Sequence, residues 1–374
     1  MNRYLTLILS VLLLMAACRK DDDGGDEPSP VTPESDTTVG EGKFEVMIVF
    51  APGQLGDRGY ADDIMSGISF LNSLYANDGD SLDVRFITPW DRDDMRHSVK
   101  DWAMSPESPF IDFEYEKRLL VLTEPFMLSV LDTIDTDLRA ADDVLVLKVY
   151  EQDIVDAEKK YNIPGHIYGF NISLVNGLRR YCKLIRDICD DPEKWELDDA
   201  IADNIPIMRL YDVEFAPPRD SIYEVLTEEF PEAHIQQLSI ASKAGENVYA
   251  SMGVTSVAQY TYIMAEFMQQ LCQYDYQPFS IINYGAGNAG VDYLMIGRAL
   301  QSQNSIIPLF IDAEPNDLPN RYSIIRRFGL NLMTWVFSWM HDDSGLERMV
   351  YIDGWSACKD NLPGSETSED DEDK

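Results

Sequence analysis

Apolar runs alternate along the chain with amphipathic stretches. Phe44 to Phe50 (FEVMIVF) predicts a buried strand, and Tyr60 to Tyr75 a helix with Ile64, Ile68, Leu71 and Tyr75 on one face. The spacing then predicts a strand over Leu82 to Thr88, a helix over Asp94 to Met104, and a strand over Arg118 to Thr123. A helix over Phe126 to Ile134 and a strand over Val144 to Val149 complete this series. Such a βαβα succession implies a parallel sheet.

A second series follows. It begins with a short extended piece at Ile167 to Phe170 and a helix at Leu174 to Cys189. Strands are predicted at Ile205 to Tyr211, His234 to Ile240, Phe279 to Tyr284 and Ile306 to Ile311. Helices are predicted at Arg219 to Phe230, Val257 to Cys272 and Val291 to Gln301. Arg321 to Met340 reads as one long amphipathic helix, and Val350 to Ile352 as a last short strand. The expected fold class is α/β, with two doubly wound parallel-sheet lobes, a hinge and an interlobe cleft. In such sheets ligands sit beyond the carboxyl ends of the strands. The segments to read for chemistry are therefore those at Ala51 to Tyr60, Glu124 to Phe126, Gly253 to Thr255, Gly285 to Asn288 and Asp312 to Glu314.

The N-terminus adds an address. Arg3 precedes an apolar run from Leu5 to Met15, the length of a secretory signal core and too short to span a bilayer. Ala16 and Ala17 just before Cys18 resemble a lipobox, where bacterial signal peptidase cuts ahead of a lipidated cysteine. Two or more acyl chains hold a soluble domain on a membrane stably. The tract from Arg19 to Gly42 is rich in Asp, Glu, Pro, Ser, Thr and Gly, so it reads as a flexible tether. Its acidic start, Asp21 to Asp23, resembles the export signal that sends lipoproteins of Bacteroidetes to the outer face of the outer membrane. The expected location is the cell envelope, lipid-anchored to the outer membrane and surface-exposed. Expected boundaries are 1–17 for the signal, 18–42 for the tether and 361–374 for an acidic tail. The first lobe takes 43–160 with 321–342, and the second takes 161–320 with 343–360.

Charge and cysteine usage exclude several classes. A net charge of −36 opposes binding to nucleic-acid backbones, which need a basic face. Beyond Cys18 the chain has Cys182, Cys189, Cys272 and Cys358. Cys182 and Cys189 lie about two helical turns apart, ~10 Å, out of disulfide reach. No Cys/His spacing suits zinc, so no metal is expected. Gly285, Gly287 and Gly290 form a GxGxxG after a strand, with Asp312 ending the next strand, the context of a dinucleotide fingerprint. The late position in the chain, the export signal and the lack of a following catalytic His or Lys leave NAD-dependent oxidoreduction a remote alternative. No nucleophile–base constellation stands out. The expectation is a binding protein without cofactor rather than an enzyme.

Several segments together resemble the basic membrane protein (BMP) family of nucleoside-binding lipoproteins, which have the type I periplasmic binding protein fold. They are Gly56 to Asp63 with Gly67 and Ile68, Leu119 to Thr123 with Pro125 and Phe126, Ile281 to Gly290, Leu309 to Glu314, and Ser323 to Arg327. The resemblance implies a solute-binding protein closing on a small polar ligand, a nucleoside in that family, and a membrane permease as a further partner. By position, it implies that Tyr60 stacks on a base and Asp312 accepts ribose hydroxyls. Arg326 would stand where a lysine contacts the ligand, and Gly285 and Asn288 would offer backbone amides. Asp57, Phe126, Thr255 and Glu314 complete the implied ligand set. The chain departs from the family at Ala61, where the family has Asn. It also lacks a second aromatic near Thr255 and carries Lys148 near the place of an acidic strand-end residue. These departures open an alternative, a surface-exposed interaction lipoprotein that keeps the fold without a small ligand.

Overall fold

The computed structural model describes residues 42–51, 55, 59–75, 81–89, 91–104, 115–134, 142–195, 202–212, 220–242, 277–284, 306–314, 321–341, 346–353 and 356–360. The expected signal and lipidation segment, Asp57, Thr255, Gly285, Asn288 and the helices expected at 257–272 and 291–301 lie outside these residues.

Two six-stranded sheets carry the fold. The first is built from β1 (Gly42–Val49), β2 (Ser81–Ile87), β3 (Lys117–Leu122), β4 (Asp142–Leu147), β5 (Ile167–Ile172) and β11 (Met349–Ile352). Its order is β11-β5-β4-β3-β1-β2, and every pairing is parallel. The second contains β6 (Asn204–Asp212), β7 (His234–Ser242), β8 (Gln277–Tyr284), β9 (Ile306–Ile311), β10 (Tyr322–Arg326) and β12 (Ser356–Asp360). Its order is β12-β10-β9-β8-β6-β7, parallel except for the antiparallel β10/β12 pair. Both sheets thus repeat one topology, each completed by an edge strand from the C-terminal segment. The chain passes between them three times: after β5, after β10, and between β11 and β12.

Period-two alternation decides the faces of the first sheet. Val46, Ile48 and Phe50 with Leu119, Val121, Leu145 and Leu147 face α1 (Tyr60–Tyr75) and the long C-terminal helix Phe328–Met340. Met47, Val49, Leu120, Leu122, Val144 and Val146 face α2 (Arg92–Met104), α3 (Leu131–Ile134) and α4 (Glu151–Tyr161). In the second sheet Ile205, Ile207, Ile307, Leu309 and Ile324 pack on α5 (Val175–Asp190) and α6 (Ile222–Glu229). The C-terminal helix Phe328–Met340 is α7. Far from the sheet ends that carry the site, Arg118 is wholly buried against Asp142, with bonds of 2.9 and 2.7 Å. It also donates to the carbonyls of Trp102 and Ala103, which closes the C-terminus of α2.

Sheet membership corrects the expected lobe boundaries. β5 pairs with β4 and belongs to the first sheet, so the first crossover falls after residue 172 rather than at 160. Tyr322–Arg326 is a strand paired with β9, not the start of a helix, and lies in the second sheet. All five of its residues are buried, as in an inner strand covered on both faces, which an amphipathic helix would not give. β11 joins the first sheet beside β5. Helix α4 had no counterpart in the sequence reading, because it buries only Ile154, Ala157 and Tyr161 on an otherwise polar surface.

The start of α7 crosses α1 at very close range. A Cβ added at Gly329 would lie 2.1 Å from the Asp63 carbonyl oxygen, and one at Gly67 would lie 2.4 Å from the Gly329 oxygen. Asp63 also accepts from the Gly329 N–H at 2.6 Å and from Arg327 at 3.3 Å, capping a helix whose own N-cap, Arg327, cannot. Because the clashing atoms are backbone, no rotamer relieves them. Gly329→Ala is expected to destabilise the protein by about 1–3 kcal/mol, read as a lowered midpoint in thermal unfolding. An unchanged midpoint would show that the two helices can separate freely.

Candidate functional site

The carboxyl ends of the strands bring charged side chains together from both sheets. From the first come Glu124, two residues past β3, Lys148, directly past β4, and Asn171 near the end of β5. From the second come Asp312, directly past β9, and Arg326, the last residue of β10. Tyr60 opens α1 beside them. All are buried: Glu124 is 0% exposed, Tyr60 and Asn171 3%, Lys148 and Asp312 7%, and Arg326 8%.

Lys148 is at the centre. Its ammonium donates to Glu124 Oε1 at 2.7 Å, lies 3.1 Å from Asp312 Oδ2, and stands 3.3 Å from the centroid of the Tyr60 ring. The Tyr60 hydroxyl donates to the same Glu124 oxygen at 2.7 Å, and the Tyr60 N–H to the Asp312 carbonyl at 3.3 Å. Arg326 grips the Asp312 carboxylate through Nε and a guanidinium N–H, donates its own backbone N–H to it at 3.1 Å, and reaches Asn171 Oδ1 at 3.4 Å. Two cations thus face two carboxylates. Lys148–Asp312, Tyr60–Asp312 and Arg326–Asn171 each join one sheet's elements to the other's.

The backbone at both key positions is left-handed. Lys148 has φ 63° and Asp312 φ 62°, and each occupies the same place, the residue just past the fourth strand of its sheet. Each donates its N–H, at 2.7 Å, to a carbonyl of the next strand, Phe170 and Ile324 respectively. Non-glycine residues in this region cost of order 1–3 kcal/mol and persist where their surroundings hold them. Here the strand-to-strand bonds and the ion pair do so.

Electrostatics follow the geometry. Burial alone would push the Asp312 carboxyl up, but the Arg326 guanidinium and the Lys148 ammonium overcome it and hold it at about 2. Burial, and then the neighbouring Glu124 carboxylate, push the Tyr60 hydroxyl well above its ordinary range. It therefore donates to Glu124 and does not ionise.

Of the residues expected from the sequence, Tyr60, Asp312 and Arg326 meet in this cluster. Tyr60 offers its ring to Lys148 and also meets core Phe328, edge-on at 6.1 Å between centroids. Glu314 lies 3.6 Å from Arg321, and Phe126 packs half-buried on the core beneath α2. Glu124, Lys148 and Asn171 were not in the expected set. For Lys148 the available signal was a charged residue directly following the apolar run VLVL, and for Glu124 one two residues past the run LLVL.

No family model matches the chain, and no curated protein matches it. Solved structures do. A LacI transcriptional regulator from Bacteroides fragilis is 10% identical, with TM-score 0.52, over 86% of this chain and 98% of that one. A sugar-binding protein of a sugar ABC transporter from Bacillus halodurans is 10% identical, with TM-score 0.50, over 85% and 97%. The Lac repressor dimer bound to operator is 10% identical, with TM-score 0.51, over 87% and 82%. The fold is of the type I periplasmic binding protein kind. At this identity the likeness speaks for the fold alone.

The lowered pKa of Asp312 has a direct consequence for stability. A carboxyl held below its unfolded value of ~3.9 contributes its full share above that pH and loses it as pH falls from about 4 to about 2. The contribution is on the order of 2 kcal/mol. Unfolding midpoints measured between pH 5 and pH 2 should therefore fall less steeply in Asp312→Asn than in the parent chain, from a lower starting stability. Equal slopes would mean that Asp312 is not held by these cations.

Proposed function

We propose that this chain is a lipid-anchored extracytoplasmic solute-binding protein that closes on a small polar molecule between its two lobes. The observation that carries this is the convergence of Glu124, Lys148, Asn171, Asp312 and Arg326 from the strand ends of both sheets onto one buried point. Ligands of doubly wound sheets sit there. Carboxylates beside an aromatic ring are suited to hydroxyl and amine donors. The sugar-binding neighbour from Bacillus halodurans supports the same reading. The operator-bound neighbour does not carry over, because a net charge of −36 repels a phosphate backbone. A nucleoside is the solute class that the BMP-like segments imply.

A second reading has its own observation. The candidate binding groups already satisfy one another, which favours an interaction lipoprotein that keeps the fold and has lost its solute. Calorimetric titration of the full chain with panels of nucleosides, sugars and small ammonium-bearing solutes separates the two. Saturable heat with one class supports the first, and silence across all three supports the second.

The anchor rests on Cys18 and the run before it. The chain is expected to fractionate with membranes when expressed in a lipoprotein-processing bacterium, and Cys18→Ser to move to the soluble fraction. Added protease should digest the anchored protein on intact cells. Full protection would place it on the periplasmic side, in reach of a permease, and membrane retention of Cys18→Ser would remove the lipid anchor.

A further inference from the structure

We propose that Lys148 is a tethered stand-in for the ligand: its ammonium fills a cation box and latches the lobes until an ammonium-bearing solute displaces it. This rests on the cleft being the solute site, and it names the solute class.

The box has three walls. Glu124 Oε1 lies 2.7 Å from the ammonium, Asp312 Oδ2 3.1 Å, and the centroid of the Tyr60 ring 3.3 Å. Two carboxylates and the face of an electron-rich ring are what a desolvated primary ammonium requires: hydrogen-bond acceptors, opposite charge and a quadrupole of the right sign. The walls come from both sheets, so whatever fills the box joins the lobes. The occupant is this chain's own side chain, presented from a left-handed residue with φ 63° at the end of β4.

Charge balance selects what can replace it. Arg326 serves Asp312 from its own sheet and stays with it when Lys148 leaves. The Tyr60 hydroxyl gives Glu124 a hydrogen bond but no charge. Among the described charges of this cluster, withdrawing Lys148 leaves two carboxylates, Glu124 and Asp312, facing one guanidinium, Arg326. A neutral hydroxyl donor restores a hydrogen bond and leaves the charges unbalanced, whereas an ammonium restores both. A buried charge without its counter-ion is the costlier state. The box thus prefers ammonium-bearing solutes to neutral polyols.

Hydrogen–deuterium exchange of the full chain with Lys148→Ala tests this, using propylammonium chloride as the probe and propanol as its neutral counterpart. The variant should exchange about tenfold faster than the parent at the Tyr60 amide, which bridges to Asp312, and in peptides covering 310–314. Propylammonium should restore protection, and propanol should not. Parent-like exchange in Lys148→Ala, or equal rescue by propanol, overturns the proposal. If the variant loses its fold, exchange rises across β6 as well. The charge-balanced Lys148→Met, Glu124→Gln double variant then decides. It should be folded, locally unprotected and indifferent to propylammonium, and parent-like protection in it overturns the latch. Rescue by propylammonium with no solute heat in calorimetry keeps the latch and removes the solute reading. Solute heat without rescue does the reverse.

Discussion

The contact between the Lys148 ammonium and the Asp312 carboxylate is the constraint around which the cleft is organised. Each charge is taken out of water, and neither could be buried alone without a penalty of several kcal/mol. The pair is tolerable because its members have other partners: Glu124 and the Tyr60 ring for the lysine, and Arg326 for the aspartate. Every partner stands at a strand end or a helix start fixed by an apolar core. The ion network therefore inherits its geometry from the two sheets, and it returns the favour by joining them. Removing one member leaves the others unbalanced, so the cluster acts as a unit.

The two sheets share one strand order, and the site exploits it. The residue after the fourth strand is left-handed in both and bonds the following strand in both, yet it is a lysine in one and an aspartate in the other. Similar backbones with opposite charges make two lobes that attract at their matching points. Close packing behind the cluster keeps those points in place. Asp63 caps α7 and Gly67 lets α7 approach α1, immediately after Arg326 and Arg327 leave the second sheet.

Much of the fold was legible in the chain. Runs such as RLLVLT, and VLVL before Lys148, read as strands because buried parallel strands are nearly continuous apolar sequences. The segment from Arg321 to Met340 did not read correctly. Its apolar residues resume directly after Arg326 and Arg327, and periodicity alone cannot separate a buried five-residue strand from the first turns of a buried helix. Helix α4 was missed for the opposite reason, a surface too polar to show a face. For the site, Tyr60, Asp312 and Arg326 were visible through a family resemblance. Lys148 read only as a departure from that family, Glu124 stood in a segment marked for chemistry without a role of its own, and Asn171 was not singled out. Lys148 and Asn171 matter because they meet Asp312 and Arg326 more than a hundred residues away, and Glu124 because it meets Tyr60 64 residues away, through a topology that local pattern does not contain.

The central claim is that the Lys148 ammonium is locked inside the cleft of the ligand-free protein. Nitrogen-15 spectroscopy of the lysine side chains reads this directly, because a buried, hydrogen-bonded ammonium exchanges its protons with water far more slowly than an exposed one. The account predicts a slowly exchanging Lys148 signal, set apart from that of exposed Lys160, whose side chain is 58% accessible. A Lys148 ammonium exchanging as fast as Lys160 would contradict it.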